Sequence, residues 1–488
     1  MDNAMTRAGG EVESRPSRLL KPNGAHGAPG GLADGLRRAI EQRTARVGVI
    51  GLGYVGLPLA VEFAESGFTV SGVDLDAQKV ATLNAGGSYV ADVPAERVAP
   101  LVRQGRLRAV TDYARACRLG DDRRGPDVIF ICVPTPYTGA KVPDLSYIEA
   151  AARSIAAHLV PEQLVVLEST TYPGTTEELV QPLLERSGLS ADRDFYLAFS
   201  PERINPGDRH FGVHNTPKVV GGTRPAATRL AKALFEAAFP SGVFAVSSPR
   251  AAEMTKLLEN TFRAVNIALV NELALLAERM GVDIWEVIDA AATKPFGYMR
   301  FTPGPGVGGH CIPVDPFYLS WKAREYDFYT RFIEHAAAIN ESMPFHLYNL
   351  VTAALNLQGV AVPNARVLVL GVAFKPNVDD YRNSPVRRFI ELLREHGAQV
   401  RYHDPHVPVF PIGGHLFAPE ADGATLHSVE LSADELRTSD AVVITIGHDG
   451  IDYDRVVQHA PLVVDAVNAT RSCTHGRTRI RRLGAPPG

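Results

Sequence analysis

Hydrophobic positions along the chain change their spacing twice. After Arg46 comes the short apolar run Val47-Gly48-Val49-Ile50, the pattern of a strand buried on both faces of a parallel sheet. A glycine-rich turn follows, and helical spacing of apolar residues predicts a helix over Val55–Ser66. Phe68–Val73, Val128–Val133, Leu164–Glu168 and Tyr196–Ser200 read as further strands with helical stretches between them. Such alternation predicts an α/β fold with a parallel sheet covered on both faces. From about Arg250 to Met280 the texture becomes continuous helical periodicity, rich in Ala, Leu and Glu and poor in breakers. A helix of that length bridges domains or forms a subunit interface. Helix is expected again through Ile339–Leu355. Near Gln358–Pro363 the alternation restarts, with strands at Arg366–Leu370, Gln399–Tyr402, Ala441–Ile446 and Leu462–Asp465 and a helix at Pro385–His396.

A length of 488 residues accommodates two or three domains. The net charge of −4 comes from interspersed acids and bases, so no basic face for nucleic acid is expected. No run approaches the roughly 18 apolar residues of a membrane span, and the N-terminus lacks the apolar centre of a signal peptide. Cys117, Cys132, Cys311 and Cys473 form no CxxC pair and have no histidine at metal-ligand spacing. Neither a disulfide framework nor a metal site is therefore expected, and the compartment that fits is the cytoplasm. Residues 1–44 are rich in Gly, Pro, Ala, Arg and Ser and read as a mobile tail, apart from a short helical possibility at Leu32–Gln42.

Gly51-Leu-Gly53-Tyr54-Val55-Gly56 follows a predicted strand and opens a predicted helix, the setting in which G-x-G-x-x-G signals a dinucleotide site. Gly51 permits the tight turn, Gly53 lets the backbone approach a pyrophosphate, and Gly56 lets helix and strand pack closely. The helix N-terminus presents free N–H groups to the anion. Asp74 ends the next strand, where its carboxylate accepts from ribose hydroxyls and repels a 2′-phosphate, favouring NAD over NADP. Lys79 is close enough in sequence to line the same pocket. The competing reading is a purely structural glycine turn with a solvated aspartate.

Pro303-Gly-Pro-Gly-Val-Gly308-Gly309-His310-Cys311-Ile-Pro313-Val-Asp315 is too dense in glycine and proline for a core element. Loops of this kind hold ligands or reactive groups, which marks Cys311 as a nucleophile rather than a small buried hydrophobe. Asp315, four residues on, can lie beside it. Lys256 and Asn260 are spaced i, i+4 and project from one helix face, a pattern shared with ordinary solvated faces. Glu202 in Ser200-Pro201-Glu202-Arg203 follows a strand end, where parallel sheets gather ligands; a loop salt bridge is the alternative.

Together these segments resemble the UDP-glucose/GDP-mannose dehydrogenase family, from Arg46 nearly to the C-terminus. The motifs that carry the resemblance are Gly51–Gly56 with Asp74, Val133-Pro134-Thr135-Pro136, Glu168-Ser-Thr170, Ser200-Pro-Glu202, Lys256-x-x-x-Asn260, Gly308-Gly-His-Cys311-x-x-x-Asp315 and Gly371-x-Ala-Phe-Lys375. The resemblance implies two Rossmann-like parallel-sheet domains joined by a central helical domain with a long helix. The expected boundaries are 45–245 for the NAD-binding domain, 246–356 for the central dimerisation domain and 357–488 for the UDP-sugar-binding domain. It further implies NAD as cofactor, a UDP-sugar substrate, a homodimer or higher homo-oligomer, and two successive oxidations of a sugar C6 alcohol to a carboxylate.

Carried over residue by residue, Cys311 is the nucleophile that turns the intermediate aldehyde into a thiohemiacetal and then a thioester. Lys256 and Asn260 stabilise the developing oxyanion. Asp315 and Thr170 orient or activate water, and Glu202 is the general base of hydrolysis or helps set substrate position. Tyr54, Val55, Pro134 and Thr135 join the glycines, Asp74 and Lys79 at the cofactor. Arg203, Gly308, Lys375 and Arg382 are expected at the substrate.

Asn205-Pro206 and Val314 depart from the UDP-glucose enzymes, which carry a second acid and a lysine there. Together with His310 and Ile312-Pro313, they resemble the branch acting on UDP-N-acetylhexosamines. Asp465-Ala-Val467-Asn468 stands where members often have Asp-x-Arg-Asn, and Arg471 is a candidate substitute. The expected activity is 6-dehydrogenation of UDP-N-acetylglucosamine for surface polysaccharide. UDP-N-acetylmannosamine, UDP-glucose or GDP-mannose are alternative substrates. A two-electron polyol or hydroxyacid dehydrogenase and a non-catalytic nucleotide-sugar sensor are the readings from other classes.

Overall fold

The structure is a computed structural model that describes residues 32–90, 92–117, 125–138, 141–191, 193–203, 215–309, 311–413 and 424–486. The first sheet has eight strands: β1 Arg46–Ile50, β2 Thr69–Val73, β3 Leu107–Val110, β4 Val128–Ile131, β5 Leu164–Leu167, β6 Tyr196–Phe199, β7 Lys218–Gly222 and β8 Val243–Ala245. Their spatial order is β3-β2-β1-β4-β5-β6-β7-β8. β1 to β6 are parallel, with β1 between β2 and β4. This order reverses direction next to β1, which opens a crevice at the carboxyl ends of β1 and β4. The expected uniformly parallel sheet needs one correction: β7 runs antiparallel to β6, with Phe199 opposite Gly221. A parallel neighbour requires a crossover of a dozen or more residues, whereas an antiparallel one does not.

The second α/β unit contains β9 Arg366–Leu370, β10 Gln399–His403, the two-stranded pair β11 Val409–Pro411 and β12 Thr425–His427, and then β13 Ala441–Ile444, β14 Val463–Asp465 and β15 Ile480–Arg482. Its main sheet is parallel throughout, in the order β10-β9-β13-β14-β15.

Between the sheets lies the long helix Pro249–Met280. Ser248 caps it by accepting from the Ala251 N–H, Pro249 starts it, and Gly281 ends it in the left-handed region at φ 70°. Its 32 residues make it about 48 Å long. It packs along a second helix, Arg331–Leu357, which also packs on the helix Pro385–Glu395 of the second α/β unit. Buried Pro344 cannot donate to the Asn340 carbonyl. That carbonyl lies where the loop carrying Gly306 crosses the helix, 3.0 Å from the position a Gly306 Cβ would take.

The tail reading is corrected for residues 32–44. Leu32–Glu41 is a helix whose Leu36 and Ile40, one turn apart, are 5% and 0% exposed in the core with Phe63, Phe235 and Phe239. It rests on the helix Pro225–Ala238. Residues 1–31 lie outside the described residues. Among the described residues no helix is long and apolar enough to cross a membrane.

Candidate active site

The glycine loop is fitted to its surroundings by contact. A Cβ on Gly51, at φ 90°, would fall 2.4 Å from the Cys132 carbonyl oxygen, and one on Gly56 would fall 1.8 Å from the Gly51 oxygen. At Gly53 a Cβ would meet nothing within 4 Å. The backbone there faces open space, as approach of a pyrophosphate demands. Gly56 begins the helix Gly56–Glu65, and Val55 packs against the apolar core beneath it. The Asp74 carboxylate accepts from the Leu52 N–H at 3.0 Å and the Asp76 N–H at 3.0 Å, and the Lys79 ammonium lies 3.8 Å away. Pro134 and Thr135 follow β4 at its carboxyl end, where the Tyr318 hydroxyl donates to the Thr135 carbonyl. The described residues thus fit a dinucleotide on three counts: open backbone, helix N-terminus and ribose-side carboxylate.

Arg382 was expected at the substrate. Its guanidinium lies over the ring of Tyr54 at 4.6 Å, and Asp380 holds it from behind at 2.7 Å. It therefore joins the second α/β unit to the glycine loop. Lys375 is half-buried in the loop after β9. Gly308 packs where a Cβ would strike Phe374 at 2.7 Å and the Asn383 oxygen at 2.9 Å. Asn383 also donates its side-chain N–H to the Gly309 carbonyl at 3.2 Å. The cysteine loop is thereby clamped to the second unit.

Lys256 and Asn260 are 7% and 5% exposed on the inner face of the long helix. The Lys256 ammonium donates to the Glu202 carbonyl at 2.5 Å, and the Asn260 amide donates to Asp315 Oδ2 at 2.6 Å. The Cys311 carbonyl accepts from the Val314 and Asp315 N–H groups at 3.1 and 2.8 Å, so a tight turn sets Asp315 beside the thiol. Cys311 keeps a solvent-exposed face. Crowding by surrounding atoms nevertheless pushes its thiol up to about 11; Asp315 adds to this, and the charges of Lys256 and Arg263 oppose it. Burial also pushes Asp315 up to about 7, against Lys256 and the Asn260 hydrogen bond.

Glu202 sits just past β6, with Oε1 accepting from the Arg203 N–H at 2.6 Å. Arg203 turns away to the Pro217 carbonyl at 2.7 Å and to Glu259 at 2.7 Å. Thr170 stands at the carboxyl end of β5. Its loop is held from the long helix by Glu253, which accepts from the N–H groups of Gly174 and Thr176 at 2.6 and 2.9 Å and from the Thr176 hydroxyl at 2.6 Å. His310 and Asn205-Pro206 lie outside the described residues.

The sequence reading missed Lys218, whose ammonium reaches Glu202 Oε2 at 2.7 Å. A lysine opening an otherwise apolar strand was the available signal. It also missed Arg482, which reaches Asn468 Oδ1 at 3.3 Å near Val467, whereas Arg471 is exposed.

Three family signatures match in order along the chain. They are the NAD-binding, central and UDP-binding domains of the UDP-glucose/GDP-mannose dehydrogenase family, over residues 45–239, 250–342 and 368–472. The chain is 41% identical to the UDP-N-acetyl-D-mannosamine dehydrogenase of Pyrococcus horikoshii, over 74% of this chain and 84% of that protein. It is 39% identical to the UDP-N-acetyl-D-glucosamine 6-dehydrogenase of Pseudomonas aeruginosa, over 74% and 83%. A solved structure of a UDP-D-ManNAc dehydrogenase from Pyrococcus horikoshii superposes with a TM-score of 0.78 at 34% identity, covering 90% of this chain and 99% of that one. The chain belongs to the UDP-glucose/GDP-mannose dehydrogenase family and is one of its NAD-dependent oxidoreductases.

Proposed function

We propose that the chain oxidises the C6 alcohol of a UDP-N-acetylhexosamine, with UDP-N-acetylglucosamine first, to the uronic acid in two steps. One observation carries this reading: a solvent-exposed thiol lies within reach of the charges of Lys256, Asp315 and Glu202, with the Asn260 amide donating to Asp315. NAD, held at the glycine loop and Asp74, would supply the hydride acceptor for each oxidation. Cys311 adds to the aldehyde left by the first oxidation. Lys256 and Asn260 supply donors for the oxygen that becomes negative. The thiohemiacetal carbon can then lose a second hydride, leaving a thioester on Cys311. Glu202 takes a proton from the water that hydrolyses it, with Thr170 and Asp315 orienting that water. Lys375 contacts the nucleotide sugar.

The names of the two curated relatives support an N-acetylated sugar and differ in the epimer. The Pyrococcus relative keeps UDP-N-acetylmannosamine as the second reading. The deciding experiment counts NADH per product over a panel of UDP- and GDP-sugars. Two NADH per UDP-N-acetylglucosamine is expected, and Cys311→Ser should make no carboxylate. One NADH per sugar would point to a two-electron dehydrogenase, and binding without NADH to a sensor.

A further inference from the structure

Behind Glu202 lies a buried charge cluster that the chemistry above leaves unused. β7 is antiparallel to β6, and Phe199 pairs with Gly221. Continuing that register beyond β6 brings Lys218 opposite Glu202. A parallel β7 would have delivered its first residue to the far end of the sheet. The Lys218 ammonium donates to Glu202 Oε2 at 2.7 Å and to Glu168 Oε1 at 3.1 Å. It also lies 5.4 and 5.2 Å from the ring centres of Phe235 and Phe239. Glu168 follows β5, and the Cys132 thiol just past β4 donates to its Oε2 at 3.7 Å. Lys218 is 3% and Glu168 1% exposed.

Stability does not explain such a cluster, because apolar side chains of the same volume commonly replace buried ion pairs at no loss. Among the described residues, its polar outlet toward the crevice is Glu202, whose side chain is 13% exposed. Two carboxylates among the described residues share the Lys218 ammonium in a place that disfavours charge. Glu168, the deeper acid, is accordingly pushed up to about 7 by burial and the Glu202 charge, against Lys218.

We infer that Lys218 and Glu168 are positioning residues for hydrolysis, with Lys218 orienting Glu202 and holding it anionic and Glu168 anchoring the Lys218 ammonium from behind. The inference rests on the reading of Glu202 as the base. In that step the water oxygen bonds to the thioester carbon and its proton passes to Glu202. The C–S bond breaks, and Cys311 leaves as thiolate. Among the described residues, the groups facing Glu202 include Lys218 from β7, Glu168 and Cys132 from the ends of β5 and β4, Lys256 from the long helix, its neighbour Arg203, which pairs with Glu259, and Cys311 from its own loop.

The test follows thioester hydrolysis against pH in the full-length enzyme, with NADH release timed separately. Lys218→Met should move the acidic limb of hydrolysis up by about one pH unit, whereas Glu168→Gln, which replaces a group already protonated at that limb, should leave it in place. The first NADH should appear within twofold of the wild-type rate in both. An upward shift confined to Lys218→Met supports the inference; an unmoved limb in Lys218→Met, or an equal shift in Glu168→Gln, overturns it. If Lys218→Met does not fold, Lys218→Gln, which keeps a polar group beside Glu202, decides by the same upward shift. Glu202→Gln in the same assay separates the two ideas. Wild-type hydrolysis there would remove Glu202 as base and this inference with it, whereas a hydrolytic defect with an unmoved limb in the Lys218 variant would remove the inference alone.

Discussion

The Cys311 thiol is open to solvent but raised in pKa, and this combination makes a measurable prediction. With the thiol near 11, alkylation by iodoacetamide in the free enzyme should rise about tenfold per pH unit between pH 7 and 10. Lys256→Met should slow it at every pH, since the ammonium favours the thiolate. Mass-spectrometric counting of labelled Cys311 checks both. Asp74 offers a second residue-scale test. Its carboxylate is tied to the glycine loop through the Leu52 N–H, so Asp74→Ala removes both the loop contact and the ribose acceptor. The KM for NAD should rise by about tenfold, the worth of one such hydrogen bond. At this scale the sequence located side chains whose type and spacing announce chemistry, such as Cys311 in its glycine loop. It did not locate Lys218, because its meaning depends on the strand reversal that brings it to Glu202, and a reversal leaves no mark on composition.

Among the elements, most strands buried on both faces were legible, although β7, buried throughout, was not anticipated. β9 runs over the expected residues Arg366–Leu370, and β4, β5 and β6 are shorter than expected by one or two residues at the carboxyl end. There the chain leaves the ladder to enter a ligand loop. Strands at sheet edges, such as β3, β8 and β15, were not anticipated, because their residues are short runs interrupted by Arg or half exposed. The helix Leu32–Glu41 matches the short helical possibility at Leu32–Gln42, although the composition of the residues before it suggested a tail. Its core contact through Ile40 predicts that Ile40→Ala costs about 2–4 kcal/mol in denaturant unfolding. The Glu253 tether is a different kind of element-scale contact. Glu253→Ala leaves the Gly174 and Thr176 N–H groups without their acceptor, a loss of about 2–3 kcal/mol. Burial holds the Glu253 carboxyl up to about 7, above its unfolded value. The native state therefore binds the extra proton between about pH 4 and 7, and the Glu253 contribution to stability weakens as pH rises through that window. Urea midpoints at pH 5 and pH 8 should accordingly show Glu253→Ala more damaging at pH 5.

For the whole molecule, the long helix carries a second message on its outer side. Leu258, Phe262, Leu269, Leu273, Leu276 and Met280 are all at least 40% exposed. At 100° per residue they fall within about 60° of arc, a continuous apolar stripe of the kind that marks a contact surface. We propose that it meets its equivalent in a second copy, as expected for a homodimer. Leu269→Glu with Leu273→Glu should shift the molecular mass in light scattering to that of one chain; an unchanged mass would sink the idea. The three-part plan itself was readable from the change in periodicity. How the parts press together was not, since contacts such as Gly308 on Phe374 join residues remote in sequence.

The guanidinium of Arg382 over Tyr54 is one of the contacts that span the crevice. A cation resting on an exposed ring contributes about 1 kcal/mol, which weights the closed arrangement over an open one by roughly fivefold. It behaves as a light latch. A contact this weak can be released and remade by thermal motion, so ligand can enter and leave the crevice at little cost.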